Sequence, residues 1–254
     1  MIKIIFCALN EEKNLKKFLT GVNHEMQNLQ QNFEIIACLD GSTDKSYQIL
    51  QSFAKFYPIK ILPLKNQRAL GFAYKRLFLD VIENCHDDDL VISLDADNTH
   101  KPQQIAPMLQ HFKKNKLDIL IASRFCDKSL LEKFPLYRQF ISKFTSILLQ
   151  NLFSVKLISG TKLQDFTSGY RIYKVEKLKK LFALEKNKFI SEPEFTYTCE
   201  LLIKLAQLDC RIDEIAISYD YGQKIGASKL RVARNFYRLI ILLLTLFFKK
   251  ISTY

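Results

Sequence analysis

Short apolar runs rich in β-branched residues alternate with longer amphipathic segments through the first half of the chain. The apolar runs predict five strands, at residues 2–7, 33–39, 59–64, 90–94 and 117–122. Between them, apolar positions recur with helical period, which predicts helices at residues 11–29, 44–56, 70–84 and 102–115. Strands that alternate with helices at this spacing are typical of βαβ units, and unbroken apolar strands are buried on both faces. The pattern therefore predicts an α/β fold with a mostly parallel sheet covered by helices on both faces.

The second half of the chain is less regular. Its pattern predicts helices at 137–152 and 194–207, a strand at 211–219, and a polar loop at 153–170. We find no internal repeat and no Ser/Pro-rich linker. The sequence therefore predicts one domain, residues 1–229, followed by a basic and apolar C-terminal helix, residues 230–254.

Composition places the chain among ordinary globular proteins. Of its 254 residues, 48% are hydrophobic and 25% are charged, which excludes a disordered, collagenous or low-complexity protein. The six cysteines show no C-x-x-C spacing and mostly lie in apolar runs, so we expect buried, reduced thiols. Because Met1 leads directly into an apolar run, we expect the catalytic part to be cytosolic.

The positive charge is concentrated near the C-terminus. The net charge is +12, and no acidic residue follows Asp220. The basic residues after that point are Lys224, Lys229, Arg231, Arg234, Arg238, Lys249 and Lys250. Such a distribution indicates an anionic partner, which could be nucleic acid, acidic lipid headgroups or a phosphorylated substrate.

Residues 239–248 form an apolar run, interrupted by Thr245, between these basic residues. Even when Phe236 and Tyr237 are included, the thirteen helical residues 236–248 span only about 20 Å, which is short of the ~30 Å core of a bilayer. Three alternatives remain: a helix in the membrane interface, a docking helix for a membrane-bound partner, and a buried helix of the domain. The flanking charges favour the first two, so we expect residues 230–250 to contact a membrane surface or a membrane-bound partner.

The arginines of this segment support that expectation. Arg231, Arg234 and Arg238 are spaced i, i+3 and i+7, so they share one helix face that could meet acidic headgroups. Nucleic acid is disfavoured, because the charges flank an apolar run and do not alternate with stacking aromatic residues.

Three polar clusters follow predicted strands at their carboxyl ends, where an open parallel sheet binds ligands. They are Asn10-Glu11-Glu12, the segment from Asp40 to Asp44, and Asp95-Ala96-Asp97. Several carboxylates at one edge repel each other unless a cation or hydrogen-bond donors compensate.

Two of these clusters have alternative interpretations. Asp95 and Asp97 could bind one hard divalent cation that keeps positions for phosphate oxygens and water, or they could simply form a turn. Asp40 could accept a hydrogen bond from a nucleobase or a ribose. Alternatively, the cluster only caps a helix that starts near Asp44, through Ser42 or Thr43.

Taken together, the ordered motifs NEE, DGSTD, LGFA, DADNTHKP, ASRF, DFTSGYR, a helix carrying Glu200, and GASK resemble glycosyltransferase family 2. Within it, they most resemble polyprenyl-phosphate (dolichyl-phosphate) sugar transferases, over roughly residues 2–230. The resemblance implies a nucleotide-diphospho-sugar transferase fold of the GT-A type, a Mg²⁺ or Mn²⁺ cofactor, and inverting transfer from a GDP- or UDP-linked sugar. It also implies a lipid-phosphate acceptor, and hence a peripheral position at the cytoplasmic face of a membrane.

The resemblance assigns roles to particular residues. For the nucleotide-sugar donor it implies Asn10, Glu11, Asp40, Ser42, Gly71 and Asp95. For the metal and the diphosphate it implies Asp95 and Asp97. For the acceptor or its phosphate it implies Arg124, Ser168, Arg171, Lys224, Ser228 and Lys229. The catalytic residues would be Asp97, Arg124 and Asp165.

The chain departs from the family pattern at Cys7, Leu39, Ala69, Thr99 and Gln223. Gln223 stands where the family usually has an arginine, and glutamine can hydrogen-bond a phosphate but cannot neutralise it. Either Lys224 or Arg231 takes over that charge, or the donor and acceptor preferences differ.

The acceptor decides what the chemistry needs. A phosphate is already ionised at neutral pH, whereas a hydroxyl needs a general base near C1 of the sugar, for which Asp165 is the candidate. Two alternatives stay open: a family 2 enzyme that acts on a saccharide hydroxyl, and a non-catalytic relative that binds a nucleotide sugar.

Overall fold

The computed structural model describes residues 1–64, 69–226 and 232–251 of the chain. The strands in these ranges are β1 (Ile2–Ala8), β2 (Phe33–Asp40), β3 (Ile59–Leu64), β4 (Leu90–Ser93), β5 (Ile119–Ser123), β6 (Leu130–Glu132), β7 (Arg171–Lys174), β8 (Ile212–Ala216) and β9 (Ser218–Asp220). The α-helices are α1 (Glu12–Asn28), α2 (Ser46–Ala54), α3 (Leu70–Asn84), α4 (Ile105–Lys114), α5 (Leu136–Phe153), α6 (Val175–Glu185), α7 (Tyr197–Ala206) and α8 (Val232–Ile251).

A seven-stranded sheet in the order β3-β2-β1-β4-β7-β5-β8 forms the centre of the fold. All its neighbouring pairs are parallel except those of β7, which runs antiparallel to β4 and β5. Successive residues of β1 enter different cores: Ile5 packs in one hydrophobic cluster, and Ile4 and Phe6 pack in the other. This alternation follows from the two-residue repeat of a strand. It confirms the predicted sheet with helices on both faces.

Two elements of the sheet differ from the prediction. The strand β7 was not predicted, because its four residues begin with Arg171 and end with Lys174 and show little apolar pattern. The predicted strand 211–219 divides at Ile217 into β8 and β9. The carbonyl of Ile217 accepts the N–H of Leu130, so β9 leaves the main sheet and pairs in parallel with β6.

The C-terminal helix α8 contacts the rest of the domain directly. Its buried residues pack in the same hydrophobic cluster as α3 and α7: Leu239, Leu242 and Leu246. One face of α8 is therefore core, as the third alternative for this segment proposed, while Ile240 and Leu244 on another face are exposed. No helix within the described ranges is long and apolar enough to cross a bilayer.

Two of the tail arginines are paired with carboxylates of the domain. Arg238 Nη2 lies 2.9 Å from Glu192 Oε1, and Arg234 Nε lies 2.8 Å from Glu194 Oε1. The expectation that these arginines meet acidic headgroups needs correction, because their charges are compensated within the chain. Arg231 lies outside the described residues.

Candidate functional site

A cavity of about 670 Å³ opens at the carboxyl ends of β1, β2, β4 and β5. Ligand sites commonly have volumes of about 300–1,000 Å³. The cavity brings together seven of the predicted site residues: Asn10, Glu11, Asp40, Asp95, Asp97, Arg124 and Lys224. The three polar clusters therefore converge, as the position of each cluster after a parallel strand predicts.

The loop after β1 is held by the loop after β2. The Asn10 backbone has a φ of 53°, in the left-handed region that asparagine tolerates better than most residues. Its N–H donates to Ser42 Oγ at 3.0 Å, and its Oδ1 accepts from the N–H of Thr43 at 2.8 Å. Ser42 therefore shapes the loop that presents Asn10 and does not itself line the cavity, a correction to its predicted donor contact.

Asp40 ends β2 with a buried carboxylate at the cavity wall. Its Oδ2 accepts the N–H of Ala69 at 2.8 Å, which fixes its orientation. The helix-capping alternative for Ser42 and Thr43 is wrong. α2 begins at Ser46, whose N–H donates to Asp44 Oδ1 at 2.9 Å.

Both oxygens of Asp97 accept hydrogen bonds. Its Oδ1 accepts from Thr99 Oγ1 at 2.6 Å, and its Oδ2 accepts from Lys224 Nζ at 2.6 Å. Burial alone would raise the pKa of Asp97, but the ammonium of Lys224 and the hydroxyl of Thr99 lower it. Asp97 is therefore a carboxylate at neutral pH. Thr99, one of the departures from the family pattern, positions it.

Asp95 lies in a different electrostatic environment. Burial and the charge of Asp97 raise its pKa to about 7. Its backbone N–H donates to Nδ1 of the buried His100 at 3.1 Å. Burial lowers the pKa of that imidazole to about 4, so the ring is neutral and carries its proton on Nε2.

These two carboxylates fit a divalent cation of the Mg²⁺ type. Such cations are commonly bound through one or two carboxylates, with phosphate oxygens and water as the remaining ligands. Across the described ranges, no group of three or more His, Cys, Asp or Glu side chains could form a closed metal site. The donor set thus fits a cation that shares its ligands with a phosphorylated substrate.

Arg124 follows β5 and places a positive charge in the cavity wall. Its Nε lies 2.8 Å from Asp165 Oδ2 and its Nη2 lies 2.9 Å from Asp165 Oδ1. Its guanidinium also stacks within 6 Å of the rings of Phe134 and Tyr219. Burial opposes the charge of Arg124, but Asp165 more than compensates and raises its pKa. The arginine is thus held in one orientation.

Asp165 does not fit its predicted role as a general base. Its side chain is fully buried, and its two oxygens accept six hydrogen bonds from Arg124, Thr167 and Ser168. Burial alone would raise its pKa, but these donors and the charge of Arg124 lower it. Asp165 is a positioning residue for Arg124.

Two predicted acceptor residues need correction. Arg171 is fully buried and donates to the carbonyls of Thr198 and Phe166, each at 2.7 Å. Ser168 is buried as well, and its Oγ accepts the N–H of Tyr170. Both stabilise the segment that carries Asp165 and do not face the cavity. The predicted residues Ser228 and Lys229 lie outside the described residues.

Gly71 also has a packing role that differs from its predicted donor contact. Its N–H donates to the carbonyl of Pro193 at 2.9 Å, and a Cβ atom there would lie 1.9 Å from the carbonyl oxygen of Glu192. The segment it contacts is held by Glu200, which accepts the N–H groups of Ser191 and Glu192. Only glycine permits this approach of α3 to the cavity wall.

The sequence reasoning missed two walls of the cavity. One is α5, which contributes Arg138, Ile141, Ser142 and Thr145, and the other is α8, which contributes Asn235, Phe236 and Leu239. The helical periods of both segments were visible in the sequence. Their position across from the strand ends is a tertiary feature that no local pattern reveals.

This architecture is the GT-A glycosyltransferase fold. Residues 3–182 match the family model for Glycosyl transferase family 2, so the chain belongs to that family. Two solved structures under 20% identity share the fold. One is Staphylococcus aureus TarS residues 1–349 in complex with UDP-GlcNAc, with 16% identity, a TM-score of 0.59, and coverage of 96% of this chain and 65% of that one. The other is Mycobacterium tuberculosis glucosyl-3-phosphoglycerate synthase with Mn²⁺, UDP and glucosyl-3-phosphoglycerate. It shows 19% identity, a TM-score of 0.58, and coverage of 96% and 79%.

Three curated relatives are named as polyprenyl-phosphate sugar transferases. A dolichol-phosphate mannosyltransferase of Pyrococcus furiosus is 30% identical over 142 residues, which cover 56% of this chain and 38% of the relative. An undecaprenyl-phosphate mannosyltransferase of Micrococcus luteus is 26% identical over 172 residues, with 68% and 65% covered. A dolichyl-phosphate beta-glucosyltransferase of Dictyostelium discoideum is 24% identical over 255 residues, with 94% and 73% covered. The chain spans less than two thirds of the length of the first three curated relatives.

Proposed function

We propose that this chain transfers a sugar from a UDP- or GDP-linked donor to a polyprenyl phosphate, with inversion at the anomeric carbon and with Mg²⁺ or Mn²⁺. The observation that carries the proposal is the charge layout of one cavity. Asp95 and Asp97 follow β4, and the fixed guanidinium of Arg124 follows β5, two strand positions away in the sheet. The carboxylates suit a diphosphate held through a cation, and the arginine suits a second phosphate.

The residues of the donor half have distinct roles in this proposal. The carboxylate of Asp40 accepts from the nucleoside, and Asn10 and Glu11 line the adjacent wall. Asp95 and Asp97 would hold the cation, which would stabilise the negative charge of the leaving diphosphate. An oxygen of the acceptor phosphate then forms a bond to C1 of the sugar as the bond from C1 to the diphosphate breaks.

The acceptor half favours a phosphate over a hydroxyl. A hydroxyl acceptor needs a general base, and Asp165, the candidate for that role, accepts six hydrogen bonds and orients Arg124 instead. A phosphate needs no base and is matched by the planar fork of an arginine. The lipid-phosphate acceptors named for the curated relatives agree with this preference.

Two helices of the cavity wall support access for a lipid acceptor. On α5, five exposed apolar residues fall within an arc of about 100° at 100° per residue: Leu136, Tyr137, Phe140, Phe144 and Ile147. On α8, four more fall within a similar arc: Phe236, Tyr237, Ile240 and Leu244.

The charges around these faces fit an anionic bilayer surface. α5 contains Arg138 and Lys143 and no acidic residue. Basic helices with a bulky apolar face lie in the headgroup region of membranes. We therefore extend the membrane-facing surface expected for residues 230–250 to α5. The cytoplasmic side of that membrane stays a prediction.

A donor panel and one variant test the function. Full-length protein is incubated with Mn²⁺, polyprenyl phosphate, and radiolabelled UDP- or GDP-linked hexoses, and the lipid fraction is counted. We expect transfer from at least one donor, and loss of transfer with retained folding in Asp97→Ala, since Asp97 lies at the cavity and not in the core. Undiminished transfer by Asp97→Ala, or in excess EDTA, would exclude the proposed metal site. Nucleotide-sugar binding without transfer to any acceptor would favour the non-catalytic alternative.

A further inference from the structure

Lys224 forms an ion pair with Asp97, one of the two carboxylates proposed to bind the cation. Its Nζ lies 2.6 Å from Asp97 Oδ2, and the two side chains are only 15% and 13% exposed. The other oxygen of Asp97 accepts from Thr99. Mg²⁺ binds oxygen ligands at about 2.0–2.1 Å, and two positive groups so close to one oxygen repel each other. The cation and the ammonium group therefore compete for Asp97 Oδ2.

The backbone around Lys224 is fixed on both sides. Before it, Asp220 accepts the N–H of Gly222 and a side-chain N–H of Gln223. After it, Asn14 exchanges two hydrogen bonds with the backbone of Ile225. A change of partner by Lys224 thus needs only rotations in its own flexible side chain.

We propose that Lys224 is an exchangeable counter-ion that couples cation binding to nucleotide binding. Without a donor, its ammonium group neutralises Asp97 and disfavours the cation. When the nucleoside diphosphate binds, the ammonium group moves to the diphosphate oxygens, and Asp97 becomes available to the cation. This inference rests on the proposed function for the assignment of a nucleoside diphosphate to this cavity. It assigns to Lys224 the charge that Gln223 lacks.

The proposal predicts effects of opposite sign for one substitution. Lys224→Met keeps the length of the side chain and removes its charge. We expect Mn²⁺ alone, titrated into the full chain and followed by the EPR signal of free Mn²⁺, to bind this variant at least fivefold more tightly than the wild type. We expect UDP or GDP, whichever the wild type binds, to bind the variant at least fivefold more weakly at saturating Mn²⁺. A purely structural role of Lys224 would not shift the two affinities in opposite directions.

Lys17→Met is the matched control. Lys17 is an exposed lysine whose Nζ donates to Gln223 Oε1, next to Lys224 in sequence. Lys17→Met removes an equal charge from a residue that does not pair with Asp97. The affinities for Mn²⁺ alone and for the nucleotide should therefore stay within twofold of the wild type. Lys224→Arg keeps the charge and should keep the weak binding of Mn²⁺ alone. If Lys224→Met folds poorly, Lys224→Gln replaces it in the same comparison.

The proposal is overturned if loss of the charge at position 224 leaves the affinity for Mn²⁺ alone unchanged or lowers it. It is also overturned if nucleotide affinity does not fall. The arm with Mn²⁺ alone requires neither nucleotide nor acceptor, so it separates this inference from the proposed function. A failure of sugar transfer with the expected change in Mn²⁺ affinity would count against the acceptor and not against Lys224.

Discussion

Asp165 meets the guanidinium of Arg124 in a two-pronged contact, with Nε to Oδ2 at 2.8 Å and Nη2 to Oδ1 at 2.9 Å. The same carboxylate also accepts the backbone N–H groups of Arg124, Thr167 and Ser168. The end of β5 and the segment before β7 are thus joined through one buried side chain. The guanidinium group of Arg124, which we propose faces the acceptor phosphate, therefore has a fixed orientation.

Asp165→Asn should release the guanidinium group of Arg124 from its fixed orientation. Removing one partner of a buried ion pair costs about 3–5 kcal/mol of unfolding free energy, measured by chemical denaturation. Under conditions where the variant is folded, transfer to polyprenyl phosphate should fall by about 100-fold, because a misplaced guanidinium no longer positions the acceptor. Nucleotide affinity should stay within twofold of the wild type.

The control for this variant is Glu176→Gln. It weakens partly exposed ion pairs with Lys174 and Lys180 and should change the unfolding free energy by less than about 1 kcal/mol per pair. A loss of nucleotide affinity in Asp165→Asn equal to the loss of transfer would show that Asp165 does not act on the acceptor half.

Asp40→Ala should weaken nucleotide binding. A lost buried acceptor costs about 1–3 kcal/mol, which corresponds to roughly 5–150-fold in affinity. Isothermal titration with UDP and GDP measures the effect. Asp87→Ala, which removes an exposed carboxylate paired with Lys179, is the control and should leave the affinity unchanged. Unchanged affinity in Asp40→Ala would mean that Asp40 only anchors the N–H of Ala69.

Asp95→Asn should stabilise the cation-free protein at alkaline pH. Burial and Asp97 raise the pKa of Asp95 from 3.8 to about 7 in the folded chain. Between these values the folded chain binds more protons than the unfolded chain, so this group lowers the unfolding free energy as pH rises from about 4 to about 7. At pH 8 in EDTA the variant should therefore be more stable than the wild type, by up to about 4 kcal/mol.

Denaturation between pH 4 and pH 8 tests this sign. The gain in stability of Asp95→Asn should shrink towards pH 4, where Asp95 is protonated in the folded wild type. The exposed Asp88→Asn is the control and should show no such gain. A stability difference for Asp95→Asn that is independent of pH would contradict the shifted pKa.

The apolar face of α5 should bind anionic membranes. Phe140 and Ile147 are 71% and 62% exposed, so replacing both with Ser removes little from the core. We expect the double variant to float less with vesicles of phosphatidylglycerol and phosphatidylcholine, and to keep its nucleotide affinity. Leu184→Ser is the control, because Leu184 is 70% exposed on α6, away from the cavity walls. Equal flotation of the double variant and the wild type would place the membrane contact elsewhere.

The sequence predicted the placement of the polar residues after β2 and β4 better than the surroundings of Arg124. Each strand end carries its polar cluster in a contiguous stretch, so Asp40, Asp95 and Asp97 could be placed at one edge from the order of elements alone. The orientation of Arg124 depends on a partner that is distant in sequence, since Asp165 lies 41 residues away. No local pattern distinguishes an arginine that faces a cavity from Arg171, which is buried against backbone carbonyls.

The same limit applies to the elements of the fold. The range of α3, residues 70–84, agrees with the prediction because its apolar face repeats with helical period. The short, charged β7 gave no such signal, since its place between β4 and β5 is decided by pairing in the tertiary structure. The apolar run of α8 was visible, but one of its faces proved to be core because Leu239, Leu242 and Leu246 pack on the domain.

The central claim is that this cavity delivers a sugar to a lipid phosphate. The most direct measurement compares polyprenyl phosphate with the matching polyprenol, at equal concentration in detergent micelles, with Mn²⁺ and the preferred nucleotide sugar. The two acceptors differ only in the phosphate group that is expected to face Arg124. The account predicts a glycosylated product from polyprenyl phosphate and none from polyprenol, and a loss of that product in Arg124→Gln with nucleotide affinity retained. Equal transfer to polyprenol, or transfer to polyprenyl phosphate that is unaffected by Arg124→Gln, would contradict it.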